Sequence, residues 1–261
     1  MKSTANKIKL SNDLKVLQNT VLHFKTIDST NRFLLDAEDL LNGTVVLADD
    51  QTAGRGRFNR TWQSLPETAL LFSILLNNLF GRKMPSVYTF LAAVGVYRGL
   101  QASLPSGSNL SLKWPNDVLL NEKKICGILV QGKITTGRYE KLVIGIGLNV
   151  NQQQQFFVED LKHATSLAAE SGYEWDRIGI LKNVLIAIDH LLNTLQESGD
   201  RPIIRMWQDA CGSIGREIAI DDGKEIYRGV FDSLAEDGGL RLKIGSKLRL
   251  FYAGDVTVLK E

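Results

Sequence analysis

The feature that most limits how this chain can fold is a change in hydrophobic texture at about Arg216. Ahead of it, apolar residues come in two patterns. The runs "VLHFKTID" (21–28), "TVVLADD" (44–50), "TALLFSILL" (68–76) and "EKLVIGIGLNVN" (140–151) have the length of single strands. By contrast, apolar residues at 181, 184, 185, 188, 191, 192 and 195 recur at helical spacing and predict an amphipathic, core-facing helix. After Arg216 the runs shorten to "EIAI", "EIYRGVFDSL", "GLRLKI" and "KLRLFYAGDVTVL", with Asp-Gly and Gly-Gly between them. That texture predicts a separate small β-barrel of roughly 45 residues. A chain of 261 residues has room for one large domain and such an appendage.

The remaining elements follow from local signals. Ser29 or Thr30 is an N-cap for a helix over "RFLLDAEDLLN" (32–42), which Asn42-Gly43 ends. Pro85 opens a helical stretch, "SVYTFLAAVGVYRGLQASL". "LSLKWPNDVLLN" and "KKICGILVQG" flank a short charged turn and read as one hairpin. On this reading residues 1–20 are an N-terminal extension, 21–215 the main domain and 216–261 the barrel.

Charge and composition narrow the function. Lys and Arg exceed Asp and Glu by only two, so the marked basic excess of a dedicated nucleic-acid binder is missing. No apolar run in the first twenty residues has the form of a signal-peptide core, and no stretch reads as a membrane span, so a cytoplasmic protein with no membrane partner is expected. Cys126, inside "ICGILV", reads as a small buried hydrophobe. His23, His163 and His190 stand apart, without the spacing of a metal site, so no metal ligands are expected from the protein itself.

Two phosphate motifs nearly appear and fail. "GILVQGKI" (127–134) has P-loop spacing, but Ile134 stands where a Ser or Thr would hold magnesium, and its interior is strand-like. "GIGLNV" (145–150) begins like a dinucleotide fingerprint, yet Val150 takes the place of the third glycine. No GxSxG elbow is present either. Two other stretches hold more chemistry. "QTAGRGRFNRTW" (51–62) joins Gly54 and Gly56, which let successive N–H groups face an anion, to the forked donors of Arg55, Arg57 and Arg60. Such a loop can cradle a phosphate, follow a nucleic acid, or be a solvated turn. In "LKWPNDVLL" (112–120), Lys113 and Asp117 lie four apart around a proline, as a polar cluster at a cleft or as a surface ion pair in a turn.

Taken together, "DSTN" (28–31), "QTAGRGRFNR" (51–60), "KWPNDVLL" (113–120), "KKICGILVQ" (123–131) and "GIGLNVN" (145–151) resemble the biotin protein ligases in order and spacing, over nearly the whole chain from about Val21. The resemblance implies an α+β fold, a mixed-sheet catalytic domain with a small C-terminal SH3-like β-barrel. It implies an ATP-dependent ligase that makes biotinyl-5'-AMP, with magnesium arriving on ATP, and passes biotin to a lysine of a biotin carboxyl carrier protein. Ser29, Thr30, Asn31 and Gln51 match the positions that bond the ureido ring, and Gly54, Arg55, Gly56 and Arg57 the loop that closes over biotin and phosphate. Lys113 and Lys124 match the lysines near the carboxylate and α-phosphate, with Asp117 either orienting Lys113 or accepting the carrier lysine's proton. Asn116 and Asn149 match positions near the nucleotide. Trp62 either covers the reacting centre or belongs to the core.

The chain departs from the family pattern at Phe58-Asn59, where many relatives carry Arg, Gly or Lys, and at His163-Ala164, where some place an aromatic on the adenine. About twenty residues before Val21 are too few for the three-helix DNA reader of the repressor-type relatives, so no DNA partner is expected. A homodimer is compatible with the family. The alternatives are a lipoate-protein ligase and a non-enzymatic nucleic-acid-binding module.

Overall fold

A computed structural model of the chain describes residues 5–10, 14–77, 79, 86–105, 107–135 and 138–259. Eight strands form one mixed sheet: β1 (Asn6–Lys9), β2 (Thr20–Ile27), β3 (Val45–Gln51), β4 (Ala69–Leu76), β5 (Leu110–Lys113), β6 (Asp117–Leu120), β7 (Lys123–Thr135) and β8 (Arg138–Asn149). Their order is β1-β2-β3-β4-β8-β7-β6-β5, and β2–β3 is the parallel pair.

The strand period of two sorts the side chains into two environments. Phe72, Ile74, Ile144, Ile146 and Leu148 point to the large core, with α2 (Ser86–Gln101) and α4 (Arg177–Ser198) laid against them. All seven apolar positions of the predicted stripe on α4 are buried. Its ends carry the expected signals: Asp176 accepts from Ile178 N, and Gly199 closes the helix at φ 81°. Although α4 is long and apolar enough to cross a membrane, here one face of it packs on α2. The two backbones approach closely because Gly95 and Gly99 face Ile188 and Val184, where a Cβ would stand 2.4 and 2.6 Å from the nearest atom. A third helix, α5 (Asp200–Asp209), adds the buried Trp207.

Among the described residues, one short helix covers the other face of the sheet. Ser29 caps α1 (Thr30–Asp36), which packs Leu34 against Phe24, Val46, Leu75 and Val143. It ends at Ala37, well short of the expected Asn42, because Ala37 turns extended and its carbonyl takes the buried Lys141 amine. The part of this face that α1 does not reach is where the site lies.

Two local expectations change. The 110–121 run is itself a hairpin, with β5 and β6 antiparallel and a turn containing the cis Trp114–Pro115 peptide. Residues 6–9, inside the predicted extension, pair with β2 as an edge strand. Pro85 lies outside the described residues. Beyond Arg216, β9 (Glu217–Asp221), β10 (Ile226–Leu234), β11 (Leu240–Ile244), β12 (Lys247–Phe251) and β13 (Asp255–Val258) form a five-stranded sheet ordered β12-β11-β10-β9-β13. The expected barrel is open: β12 and β13 are its two edges and do not pair with each other. Trp114, buried beside the larger sheet, donates from Nε1 to Gly238 O in the β10–β11 turn. Ser86 Oγ donates to the neighbouring Asp237 O.

Candidate active site

The exposed part of the sheet is floored with glycine. Gly127 on β7 and Gly147 on β8 are direct partners across the strands, and Gly145 follows two residues away on the same face. Side chains from elsewhere occupy the space their missing Cβ atoms leave. A Cβ on Gly145 would stand 2.2 Å from Asn31 Oδ1, and one on Gly147 would stand 2.6 Å from the Trp62 indole. A cavity of about 390 Å³ opens over this floor, walled by Ser29, Thr30, Asn31, Gln51 and Gln131.

Amides and hydroxyls at the inner end form one network. Asn31 Nδ2 donates to Gln131 Oε1 at 2.7 Å and to Leu129 O at 3.3 Å. Asn31 Oδ1 accepts from Ser73 Oγ at 2.6 Å, and Ser73 Oγ lies 2.7 Å from Thr30 Oγ1. Gln51 Oε1 accepts from Thr30 N at 2.8 Å. Thr30, Asn31 and Ser73 are buried, and buried polar groups so paired give a cavity with fixed donors and acceptors.

The Arg-Gly loop closes the outer end. Trp62 N donates to Gly54 O and Gly56 N to Arg60 O, so the segment folds back on itself around a tight turn at Arg57–Asn59. Phe58 and Asn59 take left-handed backbone at φ 53° and 57°. The Arg57 guanidinium lies over the Phe58 ring and donates to Asn116 Oδ1 at 3.2 Å. Burial pulls the pKa of Arg57 below its ordinary value, while Asp255 and Asp117 act in the opposite direction. The guanidinium stays charged, so the cleft holds a cation with incomplete compensation.

Past the loop, a second cavity of about 790 Å³ runs between the two sheets, with Lys113, Asp117 and Asn149 in its wall and β13 along one side. Gly56, Arg57, Trp62, Asn116 and Lys124 line both cavities. At this junction Lys124 Nζ stands 2.7 Å from Asp117 Oδ1 and 5.9 Å from the Trp62 ring centroid. The Lys124 backbone is clamped as well: its N–H donates to His163 O, and its carbonyl accepts from Thr165 N. Across the gap, Arg60 Nη2 reaches Asp255 Oδ2 on β13 at 2.5 Å, joining the loop to the C-terminal sheet.

The structure therefore gathers the sequence-predicted residues about two joined cavities. Ser29, Thr30, Asn31, Gln51 and Arg55 line the first, Lys113, Asp117 and Asn149 the second, and Gly56, Arg57, Asn116 and Lys124 the junction. Gly54 lines neither; its carbonyl closes the loop. Asp117 pairs with Lys124 rather than Lys113. Much of the Asn149 amide is already used, since Oδ1 accepts from Gln152 Nε2 and Nδ2 donates to Thr165 O. Sequence reasoning passed over Ser73, Gln131, Asp255 and the three floor glycines. For Gln131 the signal was available: in "KKICGILVQ" it falls on the same alternation as Gly127 and Leu129.

Fold and site define an enzyme of the biotin/lipoate ligase architecture: a mixed sheet with a glycine-floored polar cavity and a cationic junction that opens into a second cavity. The family model described as biotin/lipoate A/B protein ligase matches residues 23–149. The bifunctional ligase/repressor BirA of Bacillus spizizenii is 31% identical, with 98% of this chain and 79% of that protein covered. The biotin–[acetyl-CoA-carboxylase] ligase of Paracoccus denitrificans is 30% identical over 88% of this chain and 96% of its own. The biotin protein ligase of Aquifex aeolicus, solved with biotin and ATP, superposes with a TM-score of 0.78 at 30% identity, covering 92% of this chain and 99% of that one. The chain belongs to the biotin/lipoate A/B protein ligase family, on its biotin protein ligase branch.

Proposed function

We propose that the protein joins biotin to ATP as biotinyl-5'-AMP and then transfers biotin to a lysine of a biotin carboxyl carrier protein, as a biotin–[biotin carboxyl-carrier protein] ligase of the cytoplasm. The observation that carries this reading is the junction: Arg57 and Lys124 line both cavities, so an acid in the first and a nucleotide in the second meet between two cations. Two anions repel unless their charge is neutralised where they react, and positioning with charge neutralisation supplies most of such a barrier reduction.

In the first step a carboxylate oxygen of biotin attacks the α-phosphorus of MgATP, and the bond to the β-phosphate oxygen breaks to release pyrophosphate. Lys124 and Arg57 hold the charge that gathers on the α-phosphate, and Lys113 supports the departing phosphates. In the second step the carrier amine attacks the acyl carbon and AMP leaves with its bonding pair. The amine must shed a proton to do so, and Asp117 is the carboxylate in the second cavity beside Lys124. Closure of the Arg-Gly loop and Trp62 over the junction keeps water from the mixed anhydride.

The inner end of the first cavity supports biotin over lipoate. Its paired amides suit a cyclic urea, which both donates and accepts, and an aliphatic dithiolane would leave them unpartnered. Pyrophosphate release is to be measured with ATP and either acid. Release with biotin is expected; release with lipoate alone would overturn the biotin assignment, and none with either acid would overturn the ligase reading.

A further inference from the structure

We propose that Gln131 is a positioning residue that fixes which groups of the first cavity donate and which accept; the assignment rests on reading that cavity as the biotin site. Gln131 lies on β7 and lines the cavity beside Asn31. Its Oε1 takes one Nδ2 proton of Asn31 at 2.7 Å, and Leu129 O takes the other at 3.3 Å. A primary amide can turn over by half a rotation with almost no change of shape, so hydrogen bonds alone decide its direction. With its nitrogen held against β7, Asn31 presents Oδ1 to the Ser73 hydroxyl at 2.6 Å.

The direction then passes along the network. A hydroxyl has one proton, and the Asn31 oxygen can only accept, so the Ser73 hydroxyl is the donor toward Asn31 Oδ1 at 2.6 Å and Thr30 Oγ1 at 2.7 Å, and Thr30 Oγ1 in turn donates to Gln51 Oε1 at 3.1 Å. Thr30 N donates to Gln51 Oε1 at 2.8 Å, which turns the Gln51 oxygen toward α1 and leaves its Nε2 as the uncommitted group. A ligand thus meets an accepting oxygen at Asn31 and a donating nitrogen at Gln51. A cyclic urea requires this pairing, an acceptor for its N–H and a donor for its carbonyl. Remove the acceptor at position 131 and an Asn31 N–H loses its partner in a buried site, and the long 3.3 Å bond to Leu129 O is left to hold the nitrogen against β7.

Gln131→Met keeps the length of the side chain without an acceptor, and Gln131→Glu keeps the acceptor oxygen. Pyrophosphate release gives KM for biotin, KM for ATP and kcat for each. An unpaired buried amide predicts a rise of roughly tenfold or more in the biotin KM of the Met variant, with kcat and the ATP KM within about twofold. The Glu variant is expected within about threefold of wild type, because its carboxylate still accepts from Asn31. A Met variant with the wild-type biotin KM would overturn the assignment. So would a Glu variant as impaired as the Met variant, since shape rather than the acceptor would then be at work. Wild-type protein that releases no pyrophosphate with biotin would instead overturn the reading of the cavity, and this assignment with it.

Discussion

Asp117 Oδ1 stands 2.7 Å from Lys124 Nζ, although the residue facing Asp117 across the β5–β6 pair is Lys113. The carboxylate therefore serves the lysine at the junction of the two cavities. Lys124→Gln removes a cation from the reacting centre and is expected to slow adenylate formation by roughly 10²–10³-fold. Asp117→Asn leaves Lys124 in place but loosely aimed, with an expected loss of about 10–100-fold in the same step. Groups that act as a unit are not additive, so the double variant should be about as slow as Lys124→Gln alone. Single-turnover formation of the adenylate checks this. A double variant slower by the full product of the two losses would show that Asp117 acts in adenylate formation independently of Lys124.

The sequence carried the layers of the fold because burial leaves a periodic mark. The α4 stripe and the runs that became β2, β3, β4 and β8 each bury what their spacing implied. Its failures lie where tertiary contacts override local signal. Helix α1 stops at Asp36 because Lys141, about a hundred residues away, takes the Ala37 carbonyl. The reversal between Lys113 and Asp117 takes three residues, 114–116, too few to separate the two strands by spacing alone. At the site, charged and loop residues stood out in the sequence, whereas Ser73 and Gln131 lie within strands whose composition reads as core. Asp255, on β13 of the C-terminal sheet, meets the loop across about two hundred residues of chain, a pairing that no local pattern records.

Arg57→Ala separates activity from stability. Burial disfavours the charged guanidinium, so truncating it relieves a cost in the folded state rather than removing a support. Tm should stay level or rise slightly, while adenylate formation falls by roughly 10–10³-fold. Calorimetry and a pyrophosphate assay on the same preparation test both halves. A large fall in Tm would mean that the bond to Asn116 holds the loop's fold rather than its charge.

Asp189 offers a stability test remote from the chemistry. This buried carboxylate on α4 accepts from the backbone N–H groups of Lys15, Val16 and Leu17, each at 2.8 Å. Asp189→Ala strands those donors and should cost about 2–4 kcal/mol. Urea unfolding measures the loss, and biotin-dependent pyrophosphate release at a temperature where the variant is folded should be little changed. Wild-type stability in the variant would show that water satisfies the three N–H groups as well as the carboxylate does.

Glu170 gives the fold a dependence on acid. It follows Thr165 on α3 (Leu167–Ser171) and accepts from Asn121 Nδ2 at 2.6 Å and Thr165 Oγ1 at 2.7 Å, with Lys123 Nζ at 3.3 Å. It thereby ties the β6–β7 turn to the strap that brackets the Lys124 backbone. Burial pushes the Glu170 carboxyl upward, but the hydrogen bonds from Asn121, Thr165 and Lys123 outweigh it and leave the pKa below the ordinary value. A carboxyl depressed by folding stabilises the native state fully above its unfolded pKa, about 4.3, and loses that contribution as the pH falls through the folded value. The stability gap between wild type and Glu170→Gln should accordingly be level near neutrality and shrink below about pH 4. Thermal unfolding of both proteins from pH 7 downward reads the gap directly. A gap that widens on acidification would mean that folding raises the carboxyl, with burial outweighing its three partners.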